Sequence, residues 1–238
     1  MNVAGSYNNI LFISDMHIPY GHPDTLAFLT KLKETLKPEL VVCLGDELDY
    51  HAISFHKPNP DLFSPGTELT LAKEQISRLY KIFPKMLLVE SNHGSLVYRK
   101  IKDAGIPIHV LKSYKELLEA PAGWSWHEDL LIRTKDGEKI YVCHGRSSNV
   151  LKESQINGMN FVSGHWHSSF NIQYWANKRA VSWGMSCGCL VDQNSLAYEY
   201  SKNFSKKFIV GTGALVNGQP KLFRMVLNDK DRWNKEIV

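Results

Sequence analysis

Apolar positions recur along this chain in two rhythms. Short aliphatic and aromatic runs at 9–14 (NILFIS), 40–44 (LVVCL) and 86–90 read as buried strands. Between them, 23–36 puts Leu26, Leu29, Leu32 and Leu36 on one side of a helix that Pro38 ends. A second helical pattern at 69–83 stops at Pro84. Strand, helix, strand, helix, strand predicts parallel strands joined by crossover helices. The second half is richer in strands. Segments 125–133, 139–143 and 160–163 carry the pattern, with a short helix at 150–156. Further strands are expected at 180–185, 195–200, 208–213 and 222–227, the last two separated by the turn Asn217-Gly218. Two packed sheets flanked by helices, an α/β fold, accommodate this order. There is no internal repeat, low-complexity tract or long linker.

Composition narrows the picture without deciding it. Hydrophobic residues make up 43% and charged residues 22%, the balance of an ordinary globular protein. A net charge of +4 permits an anionic ligand but does not indicate a surface that coats DNA. No secretory signal is visible at 1–9, and no apolar run approaches a membrane span, so a cytoplasmic protein with no membrane partner is expected. Cys43 and Cys143 sit inside apolar runs, and Cys187 and Cys189 form one C-x-C without a second pair. All four are expected as reduced thiols that serve packing.

The chemistry lies at the ends of the apolar runs. Asp15-Met16-His17, Gly45-Asp46, Asn92-His93, His144-Gly145 and Gly164-His165-Trp166-His167 each follow one. Taken singly, each is an ordinary turn, cap or loop. Together, Asp15, His17, Asp46, Asn92, His144, His165 and His167 are the oxygen and nitrogen donors that two adjacent divalent ions need. Two such ions are a standard device for hydrolysing phosphate esters. In an extended stretch Asp15 and His17 project to one side while Met16 turns inward, and His165 and His167 repeat this around Trp166. Gly45 and Gly164 relieve crowding where backbone nears the metals. Asp46 is the expected bridging carboxylate, and Asn92 supplies a neutral oxygen. Two divalent cations less the charges of Asp15 and Asp46 leave about +2 for hydroxide and phosphate oxygens to offset. Mixed imidazole and carboxylate donors without thiolate suit manganese first, and also iron, cobalt or zinc.

These motifs resemble the calcineurin-like metallophosphoesterases, whose pattern is Asp-x-His, Gly-Asp, Gly-Asn-His-Asp/Glu, a later His, then Gly-His-x-His. The resemblance runs from about residue 10 to 168. It implies a four-layer α/β/β/α sandwich, forming one metallophosphoesterase domain over 1–238. It implies one metal held by Asp15, His17, Asp46 and His167, and another by Asp46, Asn92, His144 and His165. It makes His93 the catalytic residue, which contacts the phosphoryl group and protonates the leaving group while a hydroxide activated by the metals attacks phosphorus. Here the pattern departs from the family, because Ser91 precedes and Gly94 follows the Asn-His pair. The acid that normally orients the histidine is missing, and Glu90 and Asp49 are both candidates to replace it. Segments 45–51, 91–100 and 188–192 also look like phage-encoded members of the family, among which one activity is 5′-deoxynucleotidase.

The leading expectation is therefore a phosphomonoesterase acting on a small phosphorylated substrate, a (deoxy)nucleoside 5′-monophosphate. Arg146 offers a forked phosphate clamp. Tyr50, His51 and His56 follow the bridging aspartate, and Trp166 and Trp183 offer faces for a nucleobase. A phosphodiesterase or nuclease with the same metals is the alternative. For it, 198–208 (YEYSKNFSKKF) interleaves aromatics with lysines, although an edge strand with a solvated face is the expected reading there. A weakly active metal-binding protein that recognises a partner is the third reading, on the strength of Gly94. Oligomeric state has no signature in the sequence.

Overall fold

The computed structural model describes residues 1–55, 59–201 and 205–237. Two mixed sheets pack face to face. The first contains β1 (Ile10–Ile13), β2 (Leu40–Cys43), β3 (Lys85–Val89), β4 (Gly123–His127), β10 (Gly211–Val216) and β11 (Gln219–Arg224). Its order is β11-β10-β1-β2-β3-β4, with β1 to β4 parallel and β10 and β11 antiparallel. The second contains β5 (Leu130–Arg133), β6 (Lys139–Cys143), β7 (Asn160–Ser163), β8 (Phe170–Ala176) and β9 (Val181–Cys187), in the order β5-β6-β7-β9-β8.

The period of two in each strand builds the layers. Ile10, Phe12, Val42 and Leu44 join Ile140, Val142, Val162 and Met185 in the apolar layer between the sheets. The alternate residues Leu11, Ile13 and Cys43 face the other way, against Phe28, Leu29 and Leu32 of α1 (Thr25–Leu36) and Ala72, Ile76 and Leu79 of α2 (Pro65–Ile82). Across the second sheet, Tyr141, Cys143 and Phe161 meet Val150 of α5 (Val150–Asn157). Helix, sheet, sheet and helix follow in sequence, as alternation on doubly covered strands requires. Two shorter helices, α3 (Leu96–Asp103) and α4 (Tyr114–Leu117), link β3 to β4. All four cysteines are buried free thiols. Among the described residues no helix is long and apolar enough to cross a membrane.

The structure corrects four sequence expectations. Segment 125–133 is two strands, not one: β4 ends the first sheet and β5 opens the second, so the chain changes sheets at Glu128-Asp129. Segment 195–200 is no strand. Leu196–Ser201 forms 3₁₀ turns that meet at Tyr198. β8 escaped the pattern because it is an edge strand whose faces are both partly exposed. Finally, Asn217 (φ 51°) and Gly218 (φ 79°) form a tight two-residue turn, so β10 and β11 run right up to it rather than ending short.

Candidate metal centre

Every predicted ligand run stands just beyond the carboxyl end of a strand. β1, β2 and β3 deliver Asp15, Asp46 and Asn92, while β6 and β7 deliver His144 and His165. The two sheets thus bring five loops to one edge, the place where open α/β sheets bind ligands. The backbone bends sharply there. Asp15, His17, Asp46 and His165 all have positive φ, between 47° and 68°. For residues with side chains such conformations cost free energy and gather at functional sites. Backbone bonds hold the loops together, from His17 N–H to the Asp46 carbonyl (2.8 Å) and from Gly164 N–H to the His144 carbonyl (2.8 Å). A Cβ on Gly164 would fall on Asp15 Oδ2 and Ser14 Oγ, and one on Gly45 would lie 2.7 Å from His144 Nδ1.

The side chains converge on two neighbouring points. At the first, His17 Nε2 lies 3.1 Å from His167 Nε2, 3.5 Å from Asp46 Oδ2 and 4.0 Å from Asp15 Oδ1. At the second, His144 Nε2 lies 2.7 Å from Asn92 Oδ1, 3.1 Å from His165 Nδ1 and 3.2 Å from Asp46 Oδ2. One oxygen, Asp46 Oδ2, belongs to both. Asp15 is fixed by the His165 N–H, which it accepts at 3.0 and 2.9 Å, and by the Ser14 hydroxyl.

These residues fit a pair of divalent ions. The outer nitrogens of two histidines are committed as donors: His17 Nδ1 to Asp49 Oδ1 (2.9 Å) and His144 Nδ1 to the Leu44 carbonyl (2.8 Å). That choice turns the Nε2 lone pairs inward, toward carboxylate and amide oxygens that are acceptors too. Two imidazole nitrogens sharing one ion at about 2.1 Å stand roughly 3.0–3.4 Å apart. The 3.1 Å separations of His17 from His167 and of His144 from His165 match this. Electrostatics agree. Burial pushes the Asp46 carboxyl up, yet the charges of His144 and His93 carry it well below the carboxylate range. Burial lowers His144, but the Asp46 charge raises it to about 9, so the position favours positive charge. Cation binding there would release a proton.

His93 stands beside this cluster, with its N–H donating to Asp46 Oδ1 (3.1 Å). Its Nδ1 bonds to the Asp49 carbonyl and lies 3.2 Å from Asp49 Oδ1. Asp49 therefore takes the place of the acid missing after His93. Glu90 is exposed, and its charge acts on His127 instead. Burial lowers His93, but the charge of Asp46 and the bond to Asp49 raise it to about 9.

The remaining predicted site residues separate. Trp166 lines the cavity over the cluster, with its ring 5.1 Å from that of His165. Tyr50 is buried against Tyr114 and His51 against Tyr20, both away from the cavity wall. Trp183 is packed between the sheets. Arg146 is exposed, with its charge acting on Asp129 rather than on the cluster. His56 lies outside the described residues. Another part of the wall comes from 198–208, which the sequence offered only for the nuclease alternative. Tyr198 and Phe208 set their edges against His167, with ring centroids 6.4 and 5.0 Å away, and Lys206 and Lys207 continue that wall. Their signal was the aromatic and lysine interleaving at 198–208; among its described residues there is no edge strand, and Lys206 and Lys207 are exposed.

Among curated proteins none matches the chain. Among solved structures, the chain is similar to Vacuolar Protein Sorting 29 from Cryptosporidium parvum, at 16% identity and TM-score 0.48, with 94% of each chain covered. It is also similar to Vps29 from Chaetomium thermophilum, at 13% identity and TM-score 0.49, covering 97% of this chain and 96% of that one. The profile of the calcineurin-like phosphoesterases matches residues 9–209, a span that contains every ligand run described above. With that span covering most of its length, the chain belongs to the calcineurin-like phosphoesterase family.

Proposed function

We propose that this metallophosphoesterase hydrolyses a phosphomonoester, the 5′-phosphate of a nucleoside or deoxynucleoside monophosphate. The observation that carries the reading is the sharing of Asp46 Oδ2 between two clusters of acceptor atoms. One cation would be held by Asp15, His17, Asp46 and His167, and a second by Asp46, Asn92, His144 and His165. When bound, the pair supplies positive charge to phosphoryl oxygens and lowers the pKa of water. Manganese is the proposed metal.

The chain's own residues supply the rest. His93 faces the same cavity as the cluster. With Nδ1 engaged by Asp49, the proton on its other ring nitrogen is the one available to the departing alkoxide. Asp49 keeps that imidazole charged and correctly turned. Trp166, beside His165, and Phe208, beside His167, line this cavity and offer ring faces and edges to a nucleobase. The cavity, about 800 Å³, is larger than a bare phosphate needs and admits a nucleoside.

The test is a turnover panel with Mn²⁺, comparing a deoxynucleotide, a ribonucleotide, an aryl phosphodiester and single-stranded DNA. Release of inorganic phosphate from the monoesters is the expected result. Turnover confined to the diester or the polymer would replace this reading with that of a phosphodiesterase.

A further inference from the structure

The loop after β3 separates two cavities. Asn92 and His93 line the one over the metal centre, whereas Ser91 and Gly94 on either side of them line a second, smaller one. Its volume, about 150 Å³, gives room for a ligand of a few heavy atoms. That is well below the roughly 300 Å³ at which drug-sized ligand pockets begin. Glu47, the residue after the shared Asp46, lines this cavity and is 1% exposed. Its Oε1 accepts the Trp126 indole N–H (2.8 Å), but its Oε2 is buried with no hydrogen-bond partner. The Tyr114 hydroxyl acts on this carboxyl, yet it too is buried without a hydrogen-bond partner. A Cβ on Gly94 would stand 3.8 Å from that hydroxyl oxygen, so the missing side chain leaves space beside it. Buried polar atoms left unpaired are costly, a carboxylate most of all. Among the described lining residues Glu47 and Glu90 are acids, and none is Lys, Arg or His. Burial pushes the Glu47 carboxyl up, and the Trp126 bond offsets only part of that. Tyr98, Tyr114 and Trp126 supply aromatic walls, and the last two rings meet edge to face at 5.4 Å. Acceptor oxygens, negative charge and aromatic rings together suit an ammonium group.

We infer that this cavity binds a small primary ammonium ion, whose N–H groups donate to Glu47 Oε2 and the Tyr114 hydroxyl and whose carbon packs on the aromatic walls. The inference stands apart from the phosphoesterase reading, since none of these residues is a proposed metal ligand or substrate contact. Water can donate to Oε2 but brings no charge to neutralise a buried carboxylate. A quaternary ammonium has the charge but no N–H, and an alcohol has the hydrogen but not the charge. Only a primary ammonium meets both needs. With two heavy atoms, methylammonium reaches at best the millimolar range.

The experiment follows the Trp126 indole N–H by heteronuclear NMR in the full chain loaded with diamagnetic Zn²⁺. Loss of one indole signal in Trp126→Phe assigns the resonance. Methylammonium chloride is titrated beside sodium chloride and tetramethylammonium chloride at equal ionic strength, and beside methanol at equal concentration. A saturable shift with methylammonium is expected, with tetramethylammonium and methanol each about tenfold weaker or worse. Glu47→Gln keeps an acceptor for Trp126 and removes the charge, and should weaken methylammonium binding about tenfold. Tyr98→Leu removes one half-buried ring and should weaken it about threefold. No saturable shift in the wild type, or the same shift with sodium chloride, leaves the cavity to water and overturns the site. Equal binding of tetramethylammonium or methanol overturns it too, as does unchanged affinity in Glu47→Gln. Should Glu47→Gln fail to fold, Tyr98→Leu decides: weaker methylammonium binding supports the site and unchanged binding ends it.

Discussion

Asp49 Oδ1 lies 3.2 Å from Nδ1 of His93 and 2.9 Å from Nδ1 of His17. One buried carboxylate thus turns both a proposed metal ligand and the proposed acid toward the cavity. Burial pushes its own pKa up, but bonds to the two imidazoles draw it below the ordinary carboxylate range, so it stays charged. Asp49→Asn is expected to lower kcat/KM about 10–100-fold, as loss of an orienting partner does. Asp49 raises the His93 pKa, and the acid works only when protonated. The alkaline limb of the pH-rate profile therefore moves to lower pH in the variant. An unchanged limb beside a lower rate would leave Asp49 with a purely structural role.

Sharing of Asp46 Oδ2 has a stoichiometric consequence. Asp46→Ala is expected to reduce both bound equivalents of metal, whereas His165→Ala weakens mainly the one held with Asn92 and His144. Metal analysis after dialysis against Mn²⁺ measures this directly. Two full equivalents retained by Asp46→Ala would exclude a bridging carboxylate.

Gly164 has no room for a methyl group, because a Cβ there overlaps Asp15 Oδ2 and Ser14 Oγ. Gly164→Ala is expected to cost about 1–3 kcal/mol and to weaken metal binding by displacing Asp15. Gly66, in α2, is the control, since a Cβ there meets nothing within 4 Å. Gly66→Ala is expected to raise the thermal midpoint slightly.

Asp24, at the start of α1, accepts hydrogen bonds from Arg232 Nε (2.7 Å) and Trp233 N–H (2.9 Å) and so clasps the 232–233 segment. The Arg232 hydrogen bond, opposed by burial, lowers its pKa from 3.8 to about 2. A depressed folded-state pKa means that the stabilisation is complete above the unfolded value and is lost as pH falls toward about 2. Thermal midpoints of wild type and Asp24→Asn should differ at neutral pH and converge as pH falls through that interval. A constant difference would show that the carboxylate charge contributes nothing.

Much of this was legible in local order. Unbroken apolar runs at 9–14 and 40–44 mark strands covered on both faces, and Leu11 and Phe12 do face opposite layers. The break after 128 was not legible. Trp126 and Leu130 both read as strand, and only pairing with different neighbours separates them. Likewise Glu90 and Asp49 are equally plausible partners for His93 on paper. Asp49 takes that place because the loop after β2 folds under His93, while Glu90 leaves β3 on the exposed side.

The sequence by itself picked out the residues that gather in the two clusters, because a ligand motif is a matter of residue types placed at a strand end, and strand ends follow from backbone periodicity. It also determined the unbroken apolar runs that mark strands covered on both faces. Tertiary structure alone decided that Tyr50, His51 and Trp183 pack away from the cavity and that Lys206 and Lys207 line it. The direction of a side chain beyond its own element depends on how sheets and loops pack. That packing is set by contacts between residues distant in the chain, about which local spacing carries no information.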